Sequence, residues 1–402
     1  MSAYFHRTLE PVIRRAAEEF PAVLLTGPRQ SGKTTLLKAL FGDTHGYVSL
    51  ETPDNRAAAA TDPRGFLKLY RPPVILDEIQ YAPDLLAYIK ESIDEDRSAR
   101  GRYLLTGSQN LLLMSQVTET LAGRAAVLRL LPLAVAEIIG QPHRKLPWER
   151  QDEAPAKAAA LDIWPSLLRG CYPELASEPE RDAQLWFSSY LQTYLERDVR
   201  QLRQIGDLGE FQSFLRVLAA RSGQILNLTD VSRDLGIALN TAKAWLSILE
   251  ATSVLFVLRP YFRNTGKRLV KSPKVYFADT GLLCHLAGLR DPLHAANSPM
   301  SGTIVETAVI TEVIKRALHS GEQPTVYFYR TSSGVEVDLV VENGETIVPV
   351  EVKQTATPGP NLAKGLRAFM SDYGCSRGWL VHLGDVSLPV APGVMAVPYT
   401  SL

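Results

Sequence analysis

The chain has 402 residues, of which 46% are hydrophobic and 21% charged, a composition ordinary for a water-soluble protein of two or three domains. Its 43 basic residues balance its 43 acidic ones, which excludes a uniformly basic nucleic-acid coat protein but permits a local basic surface. Three distant cysteines without a CxxC pair argue against a zinc ribbon and against a secreted disulfide framework. The N-terminus does not read as a signal peptide, and charges and a proline interrupt the most apolar stretch, 125–140. We therefore expect a cytoplasmic protein without a membrane span.

The first 142 residues alternate short apolar segments with helical patterns, which predicts a parallel α/β sheet. An amphipathic helix is predicted near 9–20, and a second helix is predicted to begin near Lys33. The predicted strands cover 22–26, 46–50, 73–76 and 102–106.

A phosphate-binding loop is predicted between the first strand and the second helix, because residues 27–34 read GPRQSGKT and match GxxxxGK[ST]. Backbone N–H groups of such a loop form an anion site at a helix N-terminus. We expect Lys33 to reach the β- and γ-phosphates of ATP and the Thr34 hydroxyl to ligate Mg²⁺. The predicted nucleotide contacts are Gly27, Pro28, Arg29, Gln30, Ser31, Gly32, Lys33, Thr34 and Thr35.

Two acids end the strand at 73–76. Asp77 is expected to bind Mg²⁺ through water and Glu78 to polarise the attacking water, so the pair favours hydrolysis over nucleotide binding alone. The next strand ends in polar residues, of which Ser108 and Gln109 could contact both the γ-phosphate and the water. A polar turn without a catalytic role is the alternative there.

Arg124 follows this strand in the segment LAGR and could act as a finger that stabilises the transferring charge. A solvated or salt-bridged arginine is the alternative. Because no finger from the same chain is evident, Arg124 acting on a neighbouring copy predicts a homo-oligomer.

The middle of the chain is predicted to hold a linker and helical lid, 143–205, and a winged helix-turn-helix, 206–298. Thr229 is the expected N-cap of its first short helix, and strands at 255–259 and 275–277 would form the wing. Six cations and no acid lie in the sixteen residues 259–274, which predicts contact with DNA phosphates. Packing or protein binding is the alternative. The predicted DNA contacts are Asn240, Thr241, Lys243, Arg263, Lys267, Arg268 and Lys271.

The last predicted domain, 299–402, places acids in the order that is typical of PD-(D/E)xK nucleases. Glu306 lies on a helix, Asp338 in an apolar strand, and Glu351 and Lys353 on one face of the next strand. In such a site, carboxylates hold Mg²⁺ against a phosphodiester and the lysine orients the water. Asp338 and Glu351 are the predicted metal ligands. A nuclease-like fold that only binds is the alternative.

These motifs together resemble the AAA-type P-loop ATPases of the AAA_14 class that carry a C-terminal DUF4143 region, over nearly the whole chain. The resemblance implies an α/β protein with an AAA-like ATPase core, a winged-helix middle and a restriction-endonuclease-like C-terminal domain. The leading interpretation is a Mg²⁺-dependent ATPase coupled to DNA binding, with nuclease activity open. The alternative is an ATP-gated protein-binding switch with a non-catalytic scaffold, and a third class, a DNA-binding regulator with vestigial ATPase activity, is disfavoured by Glu78. The family-like segments are GPRQSGKTT (27–35), VILDEIQ (74–80), LLTGSQN (104–110), LAGR (121–124), PL (132–133), YFADTGL (276–282), VEVDLVV (335–341) and VPVEVK (348–353).

Overall fold

The computed structural model describes residues 4–108, 117, 119–150, 162–195, 208–262, 270–344 and 346–402. Four predicted site residues, Gln109, Arg263, Lys267 and Arg268, lie outside the described residues, and of Ser108 only the backbone is described. In the described part of the chain, no helix combines the length and the apolar content that a bilayer crossing requires.

The first sheet has the strand order β2–β3–β4–β1–β5, and every neighbouring pair is parallel. Its three central strands are apolar and buried because helices pack on both faces. The parallel α/β sheet predicted for this region is confirmed. The strands are β1 (Ala22–Gly27), β2 (Gly46–Ser49), β3 (Val74–Asp77), β4 (Tyr103–Ser108) and β5 (Ala125–Arg129), and the helices are α1 (Glu10–Glu19), α2 (Lys33–Phe41), α3 (Pro53–Thr61), α4 (Pro63–Leu69), α5 (Leu85–Glu95) and α6 (Val135–Ile138).

Six helices follow in the described residues between the two sheets. The Trp245 ring packs edge-on against Phe211 and Phe214, with centroids 5.4 Å apart in both pairs. The predicted N-cap Thr229 is wrong, because Asn227 caps this helix by accepting from the N–H groups of Thr229 and Asp230. The helices are α7 (Trp164–Arg169), α8 (Pro173–Ser177), α9 (Ala183–Tyr190), α10 (Leu208–Ala220), α11 (Leu228–Leu235) and α12 (Leu239–Ala251).

The second sheet is mixed and has the order β12–β13–β11–β10–β9–β8–β6–β7. Its strands are β6 (Leu255–Pro260), β7 (Lys274–Phe277), β8 (Val326–Arg330), β9 (Glu336–Asn343), β10 (Thr346–Lys353), β11 (Gly378–His382), β12 (Leu388–Ala391) and β13 (Val394–Pro398). Its helices are α13 (Thr280–Leu286), α14 (Pro292–Asn297), α15 (Ser301–His319) and α16 (Lys364–Tyr373).

The hairpin predicted as a wing belongs to this second sheet. Strands β6 and β7 pair antiparallel, and β6 also pairs parallel with β8 through Arg259 opposite Tyr327. The pairing occupies backbone groups that a free edge strand would expose. The sheet is therefore continuous across the domain boundary placed at 298–299 from the sequence.

One apolar core joins the middle helices to the second sheet, and it includes Phe187, Trp245, Phe277, Ile304 and Phe328. Helix α15 runs through this core with most of its residues buried. Because helices at 164–190 share this core with the later units, the division predicted at 205–206 does not separate two hydrophobic cores.

Candidate nucleotide site and carboxylate cluster

The phosphate loop lies between the end of β1 and the start of α2, at the edge where the parallel strands end. Gly27 has a φ of 144°, and a Cβ there would lie 2.0 Å from the Leu130 carbonyl oxygen, so a larger residue cannot occupy it. Gly32 begins α2 as its N-cap with a φ of 92°. The two glycines thus let the backbone turn tightly beside the chain that follows β5.

Lys33 is 5% exposed, and its Nζ donates to the carbonyl oxygens of Gly27 (3.1 Å) and Pro28 (2.9 Å). The ammonium therefore lies inside the loop, where phosphate oxygens would bind. Ser31 is fully buried, its Oγ has no hydrogen-bond partner among the described residues, and its carbonyl accepts from Arg7 at 3.0 Å. Arg29 is also buried and donates to the Tyr81 hydroxyl at 3.3 Å.

Three hydroxyl groups donate to the carboxylate of Asp77. Thr34 lies 2.7 Å and Thr106 2.5 Å from its Oδ1, and the Tyr47 hydroxyl lies 3.0 Å from Oδ2. A threonine hydroxyl next to a carboxylate is the protein donor set of Mg²⁺ in P-loop enzymes, where phosphate oxygens and water complete the shell. The geometry of Thr34 and Asp77 thus fits this ion.

Glu78 follows Asp77 in a left-handed conformation, with φ 60° and ψ 52°, which is uncommon for a residue other than glycine. Its backbone N–H donates to the Thr106 hydroxyl at 2.9 Å, and its carboxylate accepts from the Gln80 amide. Thr106 therefore contacts both acids. Sequence reasoning missed Thr106 and Tyr47, although Thr106 is the threonine of the LLTGSQN segment that also contains Ser108.

A cavity of about 310 Å³ lies beside the loop. It has three walls. The first is the N-terminal segment, the second is the phosphate loop with the first turn of α2, and the third is α8 with the residues that follow it. The residues on these walls include Tyr4, Phe5, Arg7, Gln30, Gly32, Thr35, Leu36, Pro173, Glu174, Ser177 and Glu178. Thr35, predicted to contact nucleotide, thus lines a space continuous with the loop.

Arg124 forms a two-point ion pair with Asp94, with Nε to Oδ1 at 2.9 Å and NH2 to Oδ2 at 3.0 Å. This hydrogen bond lowers the pKa of Asp94. Arg124 lies just before β5, at the opposite edge of the sheet from the phosphate loop, and a six-residue strand spans about 17 Å. It therefore does not act as a finger on the nucleotide site of its own chain, and action on a neighbouring copy remains a prediction.

The C-terminal acids predicted from the sequence do converge, together with an unpredicted acid, Glu336. Lys353 Nζ lies 2.5 Å from Glu351 Oε1 and 3.8 Å from Asp338 Oδ2. Lys274 Nζ lies 3.2 Å from Glu306 Oε1 and 2.7 Å from Glu336 Oε1. We call Glu306, Glu336, Asp338, Glu351, Lys274 and Lys353 the carboxylate cluster.

Two further hydrogen bonds orient the acids of this cluster. The Tyr276 hydroxyl donates to Glu306 at 2.5 Å, and the Val352 N–H donates to Asp338 at 2.8 Å. Burial and the neighbouring Asp338 raise the pKa of Glu306 to about 7 and that of Glu351 to about 8. Burial also raises the pKa of Asp338. Near neutral pH, protons and two ammonium groups therefore neutralise much of the cluster's negative charge.

Within the described ranges, no three acidic, histidine or cysteine side chains are placed to hold a metal ion. Glu306, a predicted catalytic residue, accepts from Lys274 Nζ at 3.2 Å and from the Tyr276 hydroxyl. Glu351 Oε2 is buried without a hydrogen-bond partner, which leaves an acceptor for a cation. A Mg²⁺ site made by Asp338 and Glu351 alone stays a prediction.

Two of the four predicted DNA-contacting residues that are described, Lys243 and Lys271, line one cleft of about 1,030 Å³. Lys243 on α12, Arg259 on β6 and Lys271 line it, and Asn240 is exposed on the same helix, near the partly buried Thr241. Lys274 is 2% exposed and belongs to the carboxylate cluster. It is therefore not part of a basic surface, contrary to the six-cation pattern of 259–274.

A buried polar network connects the first sheet to α15, and sequence reasoning did not find it. Glu137 accepts from Arg7 Nε at 3.0 Å and lies 3.1 Å from His319 Nδ1. Burial raises the pKa of Glu137, but its contacts with His319 and Arg7 outweigh that effect and lower it. On the preceding turns of α15, Lys315 donates to the Leu133 carbonyl and Glu312 accepts from the Val135 N–H.

A glycine loop with a buried lysine and a strand-end Asp–Glu pair, at one edge of a parallel sheet, define a P-loop ATPase. Family models match in three segments: an AAA domain over residues 19–139, and domains of unknown function DUF8612 over 161–293 and DUF4143 over 301–402. One model thus spans both middle units predicted from the sequence.

Two mycobacterial proteins are similar along almost the whole chain. The uncharacterized protein Rv2008c of Mycobacterium tuberculosis and the uncharacterized protein Mb2031c of Mycobacterium bovis are each 31% identical over 387 residues, covering 96% of this chain and 82% of theirs. The chain belongs to the same family, P-loop ATPases with an AAA domain and a C-terminal DUF4143 domain. Among solved structures, the Walker-type ATPase PABY2304 of Pyrococcus abyssi aligns at 16% identity with a TM-score of 0.45, covering 70% of this chain and 96% of that one.

Proposed function

We propose that this chain hydrolyses ATP with Mg²⁺ and couples hydrolysis to DNA binding. The observation that carries the ATPase part is the 2.7 Å contact between Thr34 and Asp77 beside the buried Lys33. Mg²⁺ bound by these two residues would neutralise charge on the phosphate oxygens.

Each residue of the loop edge has a distinct role in this proposal. Lys33 exchanges its two carbonyl contacts for β- and γ-phosphate oxygens. Glu78, held in its left-handed conformation, polarises the attacking water. Thr106 orients the Asp77 carboxylate and the Glu78 backbone, because its hydroxyl donates to the first and accepts from the N–H of the second.

The base and ribose of ATP would enter the 310 Å³ cavity beside the loop, against Tyr4 and Phe5. Helix α8 lines the opposite wall and shares the core of the middle helices through Leu175. Bound nucleotide would thus contact both the first domain and the helical unit. Hydrolysis could then change how these two parts pack against each other.

DNA binding is proposed for the cleft that Lys243, Arg259 and Lys271 line. Cations that face one cleft favour a polyanion, because each phosphate contact releases condensed counterions. The proposal is tested by fluorescence anisotropy of duplex, branched and single-stranded DNA over a salt series. Replacing Lys243 and Lys271 by alanine together should reduce the log–log salt slope by about 1.8, about 0.9 per contact.

Lys68→Ala, at an exposed lysine of the first domain, is the matched control and should keep the parent slope. Coupling is tested in the Glu78→Gln variant, which should bind ATP without fast turnover. DNA affinity that is the same with and without ATP in this variant would contradict coupling. An unchanged slope in the double variant would assign the cleft to a protein partner instead.

The second candidate is an ATP-gated protein-binding switch, and the ion pairs of the carboxylate cluster favour it. Lys274, which is not part of the nuclease motif, already supplies positive charge to Glu306 and Glu336. Incubation of branched, flapped and single-stranded DNA with Mg²⁺ or Mn²⁺ separates the candidates. Cleavage that Asp338→Ala abolishes would establish a nuclease, whereas its absence with ATPase activity intact leaves a scaffold.

Assembly of several copies would bring Arg124 to a neighbouring nucleotide site. ATPase activity per chain should then rise with protein concentration, and Arg124→Ala should remove that rise. A flat profile would leave Arg124 as the structural partner of Asp94.

A further inference from the structure

Three arginines converge where the segment after α6 meets α15. Arg144 and Arg150 lie on that segment, and Arg316 lies near the end of α15. Burial and the guanidinium groups of Arg150 and Arg316 lower the pKa of Arg144, and burial and Arg316 lower that of Arg150. Arg316 also donates to the Arg144 carbonyl and lines the same cavity as Arg144, so these two side chains lie close together.

The hydrogen bonds of these arginines do little to neutralise that charge. Arg150 donates to the carbonyl oxygens of Lys145, at 2.8 and 3.0 Å, and of Ser401, at 2.7 Å. Arg316 donates to the Arg144 carbonyl. In the described part of the chain, the one ion pair of the three arginines is Arg316 Nε with Glu312 Oε1, at 3.4 Å. Carbonyl acceptors satisfy donors without cancelling charge.

Arg316 is 7% exposed, and its NH1 is buried without a hydrogen-bond partner. It lines a cavity of about 540 Å³ together with Arg144, Lys145, Trp148, Gln323 and Thr325. A buried guanidinium nitrogen that lacks an acceptor is costly unless an acceptor reaches it. The cavity beside it is large enough for a small molecule.

Acids also line this cavity, but two of the three are engaged elsewhere. Glu149 accepts from the Leu146 N–H at 2.8 Å, and Glu342 accepts from the Tyr261 hydroxyl at 2.8 Å. Glu322 is exposed to solvent. Neutral donors leave the negative charge of these carboxylates in place. Arg316 differs from the other charged groups of this lining because its buried NH1 lacks an acceptor in the described part of the chain.

We propose that this cavity, which we call the arginine cavity, binds a small phosphate-bearing anion. Planar guanidinium groups bind phosphate oxygens through two parallel hydrogen bonds, and two guanidinium residues, Arg144 and Arg316, line this cavity. The arginine cavity shares no lining residue with the cavity beside the phosphate loop, and the proposal does not depend on the proposed ATPase or DNA-binding functions.

The test is calorimetric titration of the full chain with pyrophosphate at constant ionic strength, in a Lys33→Ala background that weakens the phosphate loop. Arg144→Gln should reduce pyrophosphate affinity by about tenfold, because a hydrogen bond between charged groups is lost. Arg316→Gln should do the same. Arg233→Gln, at an exposed arginine of α11, is the matched control and should retain the affinity of the Lys33→Ala background.

Residual binding at the phosphate loop is equal in all of these variants, so the difference between Arg144→Gln and Arg233→Gln reports the arginine cavity alone. If buried Arg316 is needed for folding, the half-buried Arg144 decides the result. Equal affinities in Arg144→Gln and Arg233→Gln would overturn the proposal. So would the absence of pyrophosphate binding in the Lys33→Ala background.

Discussion

Asp77 and Asp338 are both buried acids that belong to apolar strands, with exposures of 5% and 7%, but their partners differ. Asp77 accepts from three hydroxyl groups. Asp338 accepts one backbone N–H and faces the Lys353 ammonium at 3.8 Å. Hydroxyls orient a carboxylate and leave its charge, whereas an ammonium cancels it. The partner of a strand acid therefore decides whether the site calls for a metal ion.

The same contrast extends to the residues next to each acid. Glu78 is held by Gln80 and Thr106 at the sheet edge beside the phosphate loop. Glu306 and Glu351 are held by lysines, and their raised pKa values favour shared protons. The first region is arranged for hydrolysis, and the second is arranged for electrostatic neutrality.

The largest expected effect is at the nucleotide site. Glu78→Gln should bind ATP but hydrolyse it at least about 100-fold more slowly, because an amide cannot polarise the water as a carboxylate does. Lys33→Ala should lose ATP binding. Steady-state phosphate release and calorimetric binding of ATP measure both effects. Glu18→Gln, at an exposed glutamate of α1, should match the parent, and parental rates in Glu78→Gln would refute the assignment.

Lys274→Met tests the neutralised region. Removal of a buried ammonium from two carboxylates should lower the free energy of unfolding by about 3 kcal/mol, measured by urea denaturation. Mn²⁺ should then stabilise Lys274→Met more than the parent, because the acids have lost a cation. Equal Mn²⁺ effects on both proteins would show that Lys274 does not take the place of a metal ion.

Thr106→Val should lower the rate of ATP hydrolysis by about tenfold, since a shape-matched side chain removes the hydroxyl that joins Asp77 and Glu78. Thr106→Ser keeps the hydroxyl and should retain most of the activity. Single-turnover hydrolysis separates this loss from weaker binding. Equal rates in the valine and serine variants would assign Thr106 to packing alone.

The pH dependence of stability should distinguish the two regions by a smaller effect. The Glu351 pKa is about 8 in the folded chain and 4.5 ordinarily, so the folded state holds a proton that the unfolded state releases. The protonated Glu351 therefore adds to the free energy of unfolding. This addition is complete below about pH 4.5 and is lost as the pH rises through 8. Glu351→Gln should therefore flatten the decline in the melting temperature between pH 5 and 8.

The pKa of His319 is lowered in the folded chain, so its effect on stability is opposite to that of Glu351. The free energy of unfolding that His319 contributes rises with pH. The pH profile of Glu351→Gln is therefore subtracted from that of the parent, and the difference reports the titration of Glu351 alone. Glu18→Gln should leave the pH profile unchanged. An identical slope in Glu351→Gln would mean that Glu351 is ionised in the folded protein.

Sequence reasoning reached the nucleotide site because its determinants are local. The loop from Gly27 to Thr34 needs glycines for its turns, and Asp77 and Glu78 end a strand in the same sheet. Sequence reasoning did not assign Thr106 and Tyr47 to the site, because threonine and tyrosine are common in strands. Their role depends on a contact with Asp77, which is distant in the chain. Arg124 was assigned a catalytic role by order along the chain, but strand direction places it at the far edge.

The sequence by itself determined the parallel sheet, the phosphate loop, and the acids at the end of β3, since apolar periodicity and glycine spacing act within a few residues. Only the tertiary structure decided that the predicted wing pairs with β8, that Lys274 is buried among acids, and that Arg316 meets Arg144 across 172 residues of chain. Those outcomes depend on strand pairing and on which charged groups burial brings together. Strand pairing and the burial of charged groups leave no periodic pattern in the sequence, because they depend on packing between segments that are distant in the chain.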